Sequence, residues 1–144
     1  MNLPRCIVVA TDFGPESEKA IAYALELARK LDARVHLVHG FVVPSIPGPE
    51  AGLPLPPSVT LEMERASRQA LDQTLARHQR EGVPLEAHFK WEDPRHAVVD
   101  AATELKADLV VIGTHGRKGL KRALMGSVAE SVVRFAPCPV LTVR

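Results

Sequence analysis

Between Gly113 and Ser127 the chain reads GTHGRKGLKRALMGS, which puts four glycines and four cations in one connection. It follows the apolar run LVVI and leads into a helical pattern. Backbone N–H groups at a helix start attract anions, helped by the helix dipole. Glycine allows positive φ and lets a phosphate come close to the backbone. Gly113, Gly116, Gly119 and Gly126 supply that freedom, Arg117, Lys118, Lys121 and Arg122 supply charge, and Ser127 offers a hydroxyl. These are the parts of a phosphate cradle. A plainer reading stands beside it. Ser127-Val128-Ala129-Glu130 is an S-x-x-E capping box, in which Ser127 caps its own helix and the cations are simply solvated. Two familiar cradles are excluded: there is no GxxxxGK[ST], and no tripled-glycine fingerprint follows the first strand.

The elements that must hold such a loop alternate in type. CIVVAT (6–11), RVHLVHG (34–40), DLVVIG (108–113) and PVLTVR (139–144) read as strands, the first continuous, apolar and β-branched. PLEAHFKW (84–91) alternates apolar and polar residues, as a strand near a sheet edge does. Helices are expected from Pro15 with a stripe of Ile21, Ala24, Leu25, Ala28 and Leu31, from about Ser58 to near Gly82, from Asp93-Pro94, and from Ser127 to Phe135. Residues 41–57 hold six of the twelve prolines and read as a loop. The resulting order predicts an α/β fold, a doubly wound, Rossmann-like, five-stranded parallel sheet with helices on both faces.

At 144 residues, 46% apolar, 24% charged and formally +1, the chain is expected to form one domain, 1–144. That charge gives no overall pull toward nucleic acid or anionic membrane. No run approaches the ~20 apolar residues of a membrane span, and the opening apolar run is too short for a signal peptide. The cytoplasm is the expected compartment. Cys6 and Cys138 are expected to be free thiols.

The spacing Gly113-x-x-Gly116, nine residues, Gly126-Ser127 resembles the ATP-binding signature of the universal stress protein family. The tail GSVAESVVRFAPCPVLTVR, the N-terminal IVVATDFGPESEKAIAYALELA and the second-strand LVHGF resemble that family as well. The resemblance implies sheet order 3-2-1-4-5 and an ATP-binding protein acting as a nucleotide-responsive regulator or stress-tolerance factor. It implies that Ala10, Thr11 and Asp12 hold adenosine and that Gly40 makes a backbone contact to adenine. Ile112, Gly113 and Gly116 would flank ribose and phosphates, and Gly126, Ser127 and Val128 would hold phosphates. His115 and Arg117 lie in the same loop. A homodimer through Val140, Leu141, Thr142 and Val143 is also implied. The family often opens its third helix with G-x-P, where this chain has Glu92-Asp93-Pro94.

Other candidates are weaker. His36 and His39 look like a metal pair, but positions i and i+3 of a strand point to opposite faces. Mg²⁺ is expected to bind through the phosphate oxygens of ATP, with Asp12 nearby, although Asp12 can equally cap the turn before Pro15. Trp91 reads as a packing residue. No nucleophile elbow, zinc spacing or water-positioning base appears, so at most slow ATP hydrolysis is expected. Two alternatives remain: a nucleotide-free stress or scaffold dimer, and a phosphorelay receiver-like domain. The latter lacks a lysine after the last strand.

Overall fold

The computed structural model describes residues 2–45, 47–49, 51–79, 82–115 and 124–144. Among them the chain runs β1 (Cys6–Ala10), α1 (Pro15–Leu31), β2 (Arg34–Gly40), α2 (Pro57–His78), β3 (Leu85–Lys90), α3 (Pro94–Glu104), β4 (Leu109–Gly113), α4 (Ser127–Phe135) and β5 (Val140–Val143). The strands form one parallel sheet in the order β3-β2-β1-β4-β5.

Side-chain alternation divides the core between the two faces of the sheet. Ile7, Val9, Val35, Leu37, Leu109 and Val111 pack against the α1 stripe of Ala20, Ile21, Ala24, Leu25 and Ala28. Val8, Val38, Val110 and Ile112 meet Ala97, Val98, Ala101 and Ala102 of α3 and Ala129 and Val132 of α4. Helix α1 begins with Pro15 in its first turn, has Glu16 and Glu18 there and Arg29 and Lys30 in its last turn, and ends on a left-handed Asp32.

Helix α2 buries only Leu71 and Thr74 and is tied to α1 by Arg77 and His78, which both reach Glu18 at 2.6 Å. It ends at His78, earlier than the pattern suggests. Gly82, at φ 81°, serves the turn into β3 rather than the helix cap. The described residues between Phe41 and Pro56 form neither helix nor strand.

β3 and β5 are the edges. Leu85, Ala87 and Phe89 of β3 face the α1 side, and Lys90 reaches Glu104 of α3 from the opposite side. On β5, Pro139 O accepts from Val110 N–H and Val143 O accepts from Thr114 N–H. With that register the backbone groups of residues 139, 141 and 143 face β4, and those of Val140 and Thr142 point outward. No helix among the described residues is long and apolar enough to cross a membrane. Cys6 and Cys138 are free, and burial raises both thiol pKa values.

Candidate functional site

The connection leaving β1 is held by its own side chains. Thr11 Oγ1 accepts from Phe13 N–H at 3.1 Å, and Asp12 Oδ1 accepts from Gly14 N–H at 2.9 Å and from the Ser17 hydroxyl at 3.0 Å. Asp12 therefore does cap the turn before Pro15. Phe13 sits in the left-handed region at φ 65°, a strained position for an aromatic residue. Its ring lies 4.3 Å, centroid to centroid, from His39. His39 Nδ1 donates to Thr11 O at 2.8 Å, since a carbonyl can only accept. Burial lowers the His39 pKa, against smaller opposing effects of the Thr11 carbonyl and Asp12, so the ring is neutral near pH 7. His36 and His39 do point to opposite faces of β2.

At the end of β2, Gly40 packs against the turn into α3. A Cβ there would lie 2.7 Å from Pro94 Cα and 2.8 Å from Glu92 O, so no side chain fits. Asp93 caps α3, accepting from Arg95 N–H, while the Arg95 side chain clasps the same carboxylate at 2.9 Å. That clasp holds the Asp93 carboxyl down at about 2.

At the end of β4, Gly113 lies against the first turn of α1, where a Cβ would meet Glu16 at 3.1 Å. Thr114 O accepts from Gly126 N–H at 2.7 Å, which fastens the start of α4 to the end of β4. Thr114 Oγ1 pairs with His115 Nδ1 at 3.0 Å. His115 Nε2 is buried and has no hydrogen-bond partner among the described residues.

The capping-box reading of Ser127 is corrected here. Gly126 is the N-cap residue, its carbonyl accepts from Glu130 N–H, and no side chain caps the helix. Ser127 is already the first helical residue. The N–H groups of this first turn are left for another acceptor. The conformational argument for the glycines also changes. Gly126 has φ −62°, open to any residue, and Gly113 is not in the left-handed region either. At Gly113 the requirement is space.

These ends enclose a cavity of about 700 Å³, within the ~300–1,000 Å³ range of small-molecule sites. Ala10, Thr11, Asp12, Gly40, Ile112, Gly113, His115, Gly126, Ser127 and Val128 all line it. The cavity lies at the carboxyl ends of β1 and β4, where α1 departs to one face and α4 to the other, the switch point at which doubly wound sheets bind ligands. Gly116, Gly119, Arg117, Lys118, Lys121 and Arg122 lie outside the described residues.

The chain matches the family model described as the universal stress protein family over residues 5–144. It belongs to that family. A universal stress protein of Methanocaldococcus jannaschii is 36% identical, with 99% of this chain and 84% of that protein aligned. A solved structure from the family in Burkholderia pseudomallei is 32% identical with a TM-score of 0.69, covering 99% of this chain and 98% of that one. The universal stress protein of Archaeoglobus fulgidus in complex with dAMP is 27% identical with a TM-score of 0.68, covering 99% of this chain and all of that one.

Within this universal stress protein, several wall residues had no signal in the sequence reading. Ser17, Val38, His39 and Thr114 line the cavity, as do Asp93 and Arg95 at the α3 start. The Asp93-Pro94 pair marks a helix start, but nothing local shows that this start faces the glycine loop. Glu92, the departure from G-x-P, is not part of the cavity wall; the acid there is Asp93. Trp91 is half exposed. It donates to Glu64 at 3.1 Å and sets its edge against Phe41 at 4.8 Å.

Proposed function

We propose that this universal stress protein binds ATP and acts as a nucleotide-responsive regulator or stress-tolerance factor in the cytoplasm. The observation that carries the reading is the meeting of three separate segments, 10–12, 112–115 and 126–128, with Gly40 around one cavity. Adenosine then lies against Ala10, Thr11, Asp12 and Gly40, and ribose near Ile112 and Gly113. The phosphates meet the open first turn of α4 at Gly126, Ser127 and Val128.

Two features suit an anion there: the α4 start has no side-chain cap, and His115 Nε2 is a buried polar atom without a partner among the described residues. The dAMP complex of the Archaeoglobus fulgidus relative supports an adenine nucleotide as the ligand class. Mg²⁺ would be held chiefly by phosphate oxygens, with Asp12 as a carboxylate in the same wall. The chain serves as one nucleotide-binding domain, and its exposed β5 edge pairs with a second copy to form a homodimer.

The test is mass spectrometry of nucleotide released from the purified, heat-denatured protein, joined to calorimetric titration with ATP. ATP in the released fraction, or saturable ATP binding that Gly126→Val weakens strongly, is the expected result. Protein that carries no nucleotide and does not bind ATP would overturn the reading.

A further inference from the structure

We propose a second site, for a divalent transition-metal ion of the zinc class, built from His36, Glu86 and His88. The three side chains belong to β2 and β3, with His36 opposite Glu86 and Val38 opposite His88 in the parallel register. All three project to the α3 face of the sheet. His36 Nδ1 lies 2.9 Å from His88 Nε2 and 3.5 Å from Glu86 Oε2, and one donor atom from each residue falls within 4.8 Å of the others. Sequence spacing pairs His36 with His39 and misses this set, because the partners are about 50 residues away on an edge strand.

Two imidazoles and a carboxylate form a donor set that suits zinc, cobalt, nickel or copper and does not suit magnesium or calcium. At zinc–nitrogen distances of about 2.0–2.1 Å, two tetrahedral ligands sit about 3.3 Å apart. The His36–His88 pair therefore needs to open by about 0.4 Å. Half-buried His88 can give that much, and Glu86, with its side chain 70% exposed, can swing onto the ion. The His36 side chain is only 7% exposed, so its ring is fixed and marks one corner of the site.

Burial lowers the His36 pKa, with His88 adding to the effect and Glu86 opposing it, so the ring is already in the neutral form that ligates. The hydrogen shared between the two rings must leave the ligating nitrogens when the ion enters, which an imidazole allows by changing tautomer. A water completes four-coordination on the exposed side. Arg34, which disfavours charge on His36, and the Lys90–Glu104 pair lie on this face as well, and α3 brings Asp93, Arg95 and Asp100 to it. His36 is four residues before Gly40, or about 13 Å along the strand. The ion therefore sits toward the start of β2, away from Gly40, while Val38, the register partner of His88, forms part of the large cavity's wall.

Untagged protein titrated with Co²⁺ tests the site. We expect one Co²⁺ per chain with visible d–d bands, displacement by Zn²⁺, and a melting temperature raised by about 5 °C at saturating Zn²⁺. Glu86→Gln and His88→Gln, both at accessible positions, should each weaken binding at least about tenfold. Their circular dichroism should match the parent. Failure to bind Co²⁺ at about 100 µM, parental affinity in both variants, or a thiolate-to-cobalt charge-transfer band that places the ion on Cys6 or Cys138 would overturn the proposal.

Discussion

Gly40 and His39 adjoin on β2 and face different constraints. The Gly40 position is closed by backbone atoms of Glu92 and Pro94, which cannot rotate away as a side chain can. Gly40→Val should therefore cost about 1–3 kcal/mol, read as a lowered urea midpoint, and should weaken ATP binding because the α3 start is pushed off the cavity. His36 and His39 both have folded pKa values below the ordinary 6.5. For such groups the unfolded chain takes up the proton first, so their contribution is complete above about pH 6.5 and is lost as pH falls below it. Urea midpoints should drop between about pH 7.5 and about pH 5.5, and His39→Gln should flatten part of that drop. A pH-independent midpoint would show that neither ring is held neutral. At this scale Asp12 was legible because its turn cap is local, whereas the space required at Gly40 and Gly113 is set by Glu92, Pro94 and Glu16 of other segments. Arg95 and His39 were not legible either, since what places them in the site is a contact between the ends of different strands.

The starts of α3 and α4 make opposite use of their first turns. Helix α3 has a conventional side-chain cap, and Asp93→Ala should cost about 1 kcal/mol, measured by thermal or urea unfolding. The same carboxyl is held at about 2, so its contribution is present above the ordinary 3.8 and fades as pH falls toward 2. Helix α4 has no side-chain cap, although its sequence carries the stronger capping signal. Ser127→Ala should leave stability within about 0.5 kcal/mol of the parent and weaken ATP binding several-fold. A stability loss near 1 kcal/mol with unchanged binding would restore Ser127 as a helix cap. The misreading has a physical source. S-x-x-E fits a cap equally well one residue further in, and what decides is the hydrogen bond from Gly126 N–H to Thr114 O, a tertiary contact. The strands and the starts of α1 and α3 were readable from apolar runs and Pro positions; the end of α2 was not, because its few buried residues give weak periodicity.

Across the whole molecule, alternating element types led to the parallel sheet, and the family resemblance supplied the strand order that the sheet has. The assembly expectation gains detail from the register. Because residues 139, 141 and 143 bond toward β4, a proline at Leu141 would damage the sheet itself. Thr142→Pro instead removes an outward N–H and leaves the β4 ladder intact. Light scattering should find the parent dimeric and Thr142→Pro monomeric, both with unchanged circular dichroism. A monomeric parent, or a variant that remains dimeric, would exclude pairing through this edge.

The position of β1 at the centre of the sheet also bears on how the chain is made. Its β2 partner follows within about 30 residues, since Cys6 pairs with Arg34. Its other partner, β4, is about 100 residues away, since Ile7 pairs with Leu109. At ribosomal speeds of about 5–20 residues per second, the β4-facing edge of β1 waits roughly 5–20 seconds for its partner to be synthesised. For that interval the most apolar strand of the nascent chain has one open edge, so β1 is the segment a ribosome-associated chaperone has most reason to shield.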